Sequence, residues 1–287
     1  MQVSLIIVNY NTKELIMDCL KSVYDKTHDI DFEVIVVDNA SSDGSIELMK
    51  SEYPDVRLIE NSDNLGFGKA NNIGLKSAKG QYVFLLNSDT VLLNNAVKKF
   101  YDFMQENQGN MIGAIGGYLL DSKLNIIHSY NEFPTLSSLF FADLKILMDL
   151  FKRKKSEIPT VKPVGYITGA DLFLSKSLLN EIGAFDPEYF MYFEETDLQY
   201  RMSESGYARL VVPGPEIIHL EGKSSSISNK RRLIFEESKF KYLKKYNNRL
   251  LVTLYKYYYI LFRFPRVLKF NYSLKENIKY FVTLLKV

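Results

Sequence analysis

The sequence predicts an α/β protein built on a mostly parallel, doubly wound sheet flanked by helices, with a basic helical extension at the C-terminus. Three observations carry this. Short β-branched runs alternate with helix-period segments through residues 3–89. A polar cluster follows each of those strand runs, where open α/β sheets bind their ligands. Beyond residue 222 the composition turns basic and aromatic.

The elements follow in order. VSLIIVNY at 3–10 is a short, mainly apolar and β-branched run, typical of a buried parallel strand. From Thr12, the stretch TKELIMDCLKSVYD places Leu15, Ile16, Cys19, Leu20 and Val23 at helical spacing. FEVIVVDN is the second strand, ended by ASSDGS, in which Ser42 or Asp43 is placed to cap the helix SIELMKSEY. VRLIEN is the third strand. A turn rich in Gly and Asn leads from it into a helix running through Ala70 to Ala78. QYVFLLNSD is the fourth strand, and IGAIGGYLL at 112–120 is a further one.

Residues 128–163 break the pattern. LSSLFFADLKILMDLFKRKK is apolar on one side and basic at its end, which predicts a mobile insertion carrying an amphipathic helix; a packed helix would read the same way. Residues 166–222 return to α/β character. The expected division is therefore one α/β domain over 1–222 and a basic, aromatic helical tail over 223–287.

A chain of 287 residues suits one large domain, or one domain with an appendage. The net charge of +2 hides an asymmetry: residues 223–287 hold 16 Lys and Arg against 3 Asp and Glu, while 1–222 hold 20 against 31. Aromatics interleaved with the tail's cations favour a membrane surface over nucleic acid; a helical extension packed on the domain, with lysines solvating its outer face, is the alternative. The single cysteine, Cys19, excludes an intrachain disulfide and sits where a buried apolar residue is expected. MQVSLIIVNYN lacks a basic signal-peptide start, and no run approaches the roughly 20 apolar residues of a membrane span. The expected location is cytoplasmic, peripheral on the inner face of the cell membrane.

Five clusters carry chemistry. Asn9 and Tyr10 end the first strand. In VDNASSDGS, Asp38 at a strand end suits the ring N–H of a uracil or thymine, although the same residues also make a plain turn. In NSDNLGFGKANN, Asn64, Gly66 and Lys69 lead into a helix N-terminus, a place for phosphate. LLNSDT offers Asn87, Ser88 and Asp89, and Asp89 is the candidate ligand for a divalent cation, Mn²⁺ or Mg²⁺. Glu194, Glu195 and Asp197 crowd among aromatics, where burial and mutual repulsion raise carboxyl pKa values and make a general base. In EIIHL, His219 reads either as a structural histidine or, with Asp89, as a metal ligand.

Together the strings SLIIVNYN, VVDNASSDGS, NLGFGKANN, LLNSDT, TGADLFLSKSLLNEIGAFDPEYFMYFEETDLQYR and VPGPEIIHLEGKSS resemble the family 2 inverting glycosyltransferases, and within them a rhamnosyltransferase-like branch. The resemblance covers about residues 3–226. It implies a GT-A glycosyltransferase domain over 1–222, Rossmann-like, with the nucleotide half over about 1–110 and the acceptor half over about 111–222, and a UDP- or dTDP-sugar donor, with rhamnose the first guess. The acceptor would be a glycan or polyprenyl-linked molecule of surface polysaccharide assembly. Asp38 would meet the base, Asp89 and His219 the metal and diphosphate, and Thr168, Gly169 and Ala170 the sugar or acceptor. The family's Glu-Asp pair reads Glu194-Glu195 here, so Glu195 would be the base, supported by Glu194 and Asp197. Ser88 stands where many relatives have Pro, and Glu221 would add a negative group near the metal. Two other readings stay open: a nucleotidyltransferase acting on sugar phosphates, and an inactive membrane-associated scaffold. The oligomeric state is left open.

Overall fold

The computed structural model describes residues 1–141, 158–220, 229–263 and 273–286. Most of the expected insertion helix and Glu221 lie outside the described residues.

The first strand, β1 (Val3–Asn9), is paired on both sides, with β2 (Phe32–Asp38) and β4 (Tyr82–Asn87), all parallel. Its side chains therefore enter two cores alternately. Val3, Leu5 and Ile7 face one core with Ile16, Leu20 and Val23 of helix α1 (Lys13–Lys26); Ile6 faces the other with Ala70 and Leu75 of helix α3 (Phe67–Ser77). A strand covered by helices on both faces is mainly apolar, and each buried aliphatic contributes about 1.5–3 kcal/mol.

β3 (Arg57–Glu60) continues the parallel run beyond β2. Helix α2 (Ser45–Glu52) makes the β2–β3 crossover. The full sheet has nine strands, in the order β3-β2-β1-β4-β10-β6-β11-β5, with β8 against β11. Here β5 is Thr90–Leu92, β6 Ile112–Leu120, β8 Lys162–Pro163, β10 Asp171–Ser175 and β11 Ala208–His219. The mostly parallel expectation holds. The exceptions are β10, antiparallel between β4 and β6, and the edge strands β5 and β8, antiparallel to β11. Helix α4 (Ala96–Glu106) follows β5, helix α5 (Lys176–Ile182) follows β10, and helix α6 (Glu194–Glu204) precedes β11. A two-stranded ribbon pairs β7 (Tyr130–Asn131) with β9 (Tyr166–Ile167). Cys19 is fully buried, and burial pushes its thiol up to about 12, which suits the packing role expected of it.

Contacts divide the chain into two units. One holds residues 1–132, 157–190 and 194–226, and contains the sheet. The other holds 133–156, 191–193 and 227–287. This second unit is built on helices α7 (Asn229–Tyr246), α8 (Arg249–Arg263) and α9 (Leu274–Lys286). At its centre, Glu236 accepts hydrogen bonds from the hydroxyls of Tyr259 (2.6 Å) and Tyr280 (2.7 Å) and pairs with Lys239. Burial raises this carboxyl, but Lys239 and the two tyrosines outweigh burial and hold it below its usual range. Phe240, Tyr242 and Tyr255 are also buried, so many of the tail's aromatics form the core of this unit.

Candidate active site

The carboxyl ends of β1, β2 and β4 meet in one polar network. Asn9 is fully buried at the end of β1, and its Nδ2 donates to Asp38 Oδ1 (2.7 Å), Ser45 Oγ (2.8 Å) and Ser41 Oγ (3.1 Å). Asp38 also accepts the Ser41 N–H through Oδ2 (2.8 Å). Thr12 Oγ1 donates to Asn9 Oδ1 (2.7 Å) and lies 3.0 Å from Ser88 Oγ. The fully buried Asp38 carboxylate thus organises the turn after β2. Asp43 Oδ2 accepts the Lys13 N–H (2.8 Å) at the start of α1, and its Oδ1 accepts the Ser45 N–H (3.1 Å) at the start of α2, although Gly44 occupies the N-cap position itself.

The third turn is held similarly. Asn64 Oδ1 accepts the Gly66 N–H (3.0 Å), and Asn39 Nδ2 donates to Gly66 O (3.2 Å). Gly66 has φ +84°, and a Cβ there would lie 2.0 Å from Phe190 O. The same carbonyl accepts the Phe67 N–H (2.9 Å), so this glycine admits the chain that leads toward α6. Lys69 and Tyr10 stand exposed. Thr168, Gly169 and Ala170, expected to line the sugar or acceptor pocket, lead into β10 beside the end of β4. Asn87 N–H donates to Ala170 O (3.0 Å), a Cβ on Gly169 would meet the Phe67 ring at 3.1 Å, and Thr168 N–H donates to Ser129 O (2.9 Å). The hydroxyls of Thr168 and Ser129 are buried and have no hydrogen-bond partner among the described residues.

Asp89 and His219 are brought together by pairing of β5 with β11, in which Thr90 is opposite His219 and Leu220 N–H donates to Asp89 O (2.9 Å). His219 Nε2 lies 3.3 Å from Asp89 Oδ1, with side-chain exposures of 13% and 8%. One carboxylate oxygen and one imidazole nitrogen fit a divalent cation that completes its shell with substrate oxygens and water; the imidazole suits Mn²⁺ better than Mg²⁺. Among the described residues, no group of three or more His, Cys, Asp and Glu surrounds a common point.

The three acids differ in role. Asp197 is fully buried and accepts from Arg201 Nε (3.0 Å), whose other nitrogens bind the carbonyls of Ile182, Gly183 and Ala184. Asp197 therefore fixes α6 to the preceding loop. Glu194 is buried, 2% exposed. Glu195 is only partly exposed, and burial pushes its carboxyl from 4.5 up to about 7, against the lowering effect of backbone N–H groups. Burial, one of the two causes expected from the sequence, makes the largest contribution to this rise.

Two residues around Glu195 escape sequence reasoning. Gln199 is fully buried and brackets Ile167: its Oε1 accepts the Ile167 N–H (2.8 Å), while its Nε2 donates to Ile167 O (2.7 Å) and Glu195 O (3.1 Å). It thereby ties α6 to Ile167, which leads into the Thr168–Ala170 segment. The Tyr166 phenol is pushed up to about 12 by burial and by the charge of Glu195, and it accepts from Asn131 Nδ2 (3.1 Å). A polar residue inside an otherwise helical motif was the only available signal for Gln199.

The carboxyl ends of a mostly parallel sheet thus carry a polar network and a carboxylate–imidazole pair, and the chain also holds a weakly acidic, partly exposed glutamate on α6. Residues 4–166, more than half of the chain, match the model of Glycosyl transferase family 2, and the chain belongs to that family. It is similar to the N-acetylglucosaminyl-diphospho-decaprenol L-rhamnosyltransferase of Mycobacterium tuberculosis, with 26% identity over 212 residues covering 67% of each chain. Two solved structures share the fold. GalNAc-T7 with UDP, GalNAc and Mn²⁺ has a TM-score of 0.57 and 18% identity over 82% of this chain; the chain spans about half of that protein, 47%. The mannosyltransferase PcManGT of Pyrobaculum calidifontis, with GDP-Man and Mn²⁺, has a TM-score of 0.57 and 16% identity over 99% of this chain and 73% of its own.

Proposed function

We propose that this family 2 glycosyltransferase transfers a sugar, rhamnose first among the candidates, from a UDP- or dTDP-sugar to a glycan or polyprenyl-linked acceptor in surface polysaccharide assembly. The observation that carries the reading is Glu195, whose carboxyl is held at about 7 by burial, on the helix that Gln199 ties to Ile167, which leads into the Thr168–Ala170 segment. A carboxylate tuned this way is a competent base for a sugar hydroxyl near neutral pH. The relative that acts on a diphospho-decaprenol supports the choice of acceptor and of rhamnose. The protein would work peripherally at the inner face of the cell membrane. Among the described residues, no helix is long and apolar enough to cross a membrane.

The reaction is a direct displacement with inversion. Glu195 takes the proton from the acceptor hydroxyl, whose oxygen bonds to the anomeric carbon as the bond to the nucleoside diphosphate breaks. Asp89 and His219 would hold a divalent cation, which would offset the charge of the departing diphosphate. The buried turn residues Asn9 and Asp38 shape the base site, and Asn64, Gly66, Lys69, Asn87 and Ser88 flank the donor. Thr168, Gly169 and Ala170 would line the sugar or acceptor pocket. The catalytic domain of this reading covers 1–222, and the basic extension begins at 223.

The test is binding and turnover of a panel of UDP-, dTDP- and GDP-sugars with Mn²⁺, Mg²⁺ or EDTA, on the parent and Asp89→Asn. Metal-dependent selection of one UDP- or dTDP-sugar, lost in the variant, is expected. Absence of nucleotide-sugar binding under every condition rejects the catalytic reading.

A further inference from the structure

Helix α8 is apolar on two opposite faces. Val252, Tyr255 and Tyr259 are buried within the helical unit, at 1%, 7% and 2% exposure. On the other face, Leu250, Leu254, Tyr257 and Leu261 follow one another at spacings of four, three and four residues, and each is between 58% and 75% exposed. Helix α9 repeats the arrangement. Asn277, Tyr280 and Leu284 face inward, while Leu274, Ile278, Val282 and Leu285 stand out in solvent. Nine of the twenty exposed large hydrophobics among the described residues fall on these two helices, so this is a concentrated surface rather than ordinary scatter. The helices are joined by Lys256 Nζ donating to Leu285 O (3.1 Å). The surface extends to Phe141, beside Phe140, whose ring packs 4.7 Å from that of Tyr258.

Charge identifies the occupant. Helix α8 carries Arg249, Lys256 and Arg263 and no acid. On α9, the exposed Lys275, Lys279 and Lys286 run beside the aliphatic stripe. The one acid there, Glu276, is engaged by the backbone N–H and the hydroxyl of Ser273. A second copy of this chain would set cations against cations. An anionic lipid surface offers both an apolar layer and the opposite charge. Helices of 15 and 13 residues are too short to span a bilayer but long enough to lie in its interface.

We infer that α8 and α9 are a monotopic anchor that lays its aliphatic stripes into the headgroup boundary of an anionic bilayer. The inference deepens the reading of a lipid-linked acceptor and rests on it only for its purpose. Whereas the sequence suggested a basic aromatic tail meeting the membrane, many of its aromatics are core and the leucines face outward.

The test is co-sedimentation of the full chain with vesicles of phosphatidylcholine and phosphatidylglycerol in equal parts, against phosphatidylcholine alone, without donor or acceptor. The parent should bind the anionic vesicles more tightly, and less so at high salt. Leu254→Glu with Ile278→Glu, and separately Lys275→Glu with Lys279→Glu, should each weaken binding by about tenfold or more. Both variants alter exposed positions, so circular dichroism and nucleotide-sugar turnover in solution should match the parent. No binding by the parent, or binding unchanged in both variants, overturns the inference. So does light scattering that finds a dimer which the Leu254/Ile278 variant dissociates. Vesicle binding without any nucleotide-sugar turnover would reject the catalytic reading and leave the anchor intact.

Discussion

Replacing Glu195 by Gln should inactivate the enzyme and stabilise the fold, and the stabilisation should depend on pH. In the folded protein the carboxyl titrates at about 7, against 4.5 as its ordinary value. Between those values, the folded state keeps a proton that the unfolded chain has released. Stability is therefore highest below 4.5 and falls as pH rises through about 7, above which the buried charge imposes its full cost. A displacement of this size corresponds to about 3 kcal/mol, reduced to about 2 kcal/mol by the solvent contact that Glu195 retains. Gln has the same shape, accepts the same backbone N–H groups and carries no charge. Urea unfolding at pH 8 should show the variant about 2 kcal/mol more stable than the parent, and near pH 4.5 the two should coincide. Turnover by the parent should lose its base along an acid limb near pH 7. A variant whose advantage over the parent is no larger at pH 8 than at pH 4.5 would refute the argument that burial sets this carboxyl.

Other perturbations test the scaffold. Gly66→Ala places a Cβ against Phe190 O at a left-handed φ, and thermal unfolding should report a loss of more than about 2 kcal/mol. Gln199→Leu strips both backbone groups of Ile167 of their partner; a loss of about 3 kcal/mol is expected, with a raised KM for sugar substrates because the 168–170 segment is released. Asp171 is fully buried, its carboxyl is driven well above the usual range by burial, and Oδ2 accepts the Gly117 N–H. Asp171→Asn keeps that acceptor, so chemical denaturation should show the variant gaining on the parent as pH rises.

Much of the fold was legible because its signals are local. The mainly apolar VSLIIVN and FEVIVVD strands, and the spacing of Ile16, Cys19, Leu20 and Val23, are sufficient for a parallel sheet with helices on both faces. The reversed strand β10 was not, since DLFLS pairs equally well in either direction and only its neighbours select one. Local signals also placed polar residues at strand ends. Which of them meet depends on long-range pairing: Asp89 reaches His219 only because β5 lies against β11, and Gln199 finds Ile167 across the fold. In the tail, composition revealed cations and aromatics but not which face each would take. Packing decided that by drawing Tyr255, Tyr259 and Tyr280 around Glu236 and leaving Leu254 and Ile278 outside. The sequence by itself determined periodicity, charge distribution and the chemistry available. Burial decided the rest, because the proton affinity of Glu195 depends on how much water its neighbours exclude, and that is a property of the assembled chain.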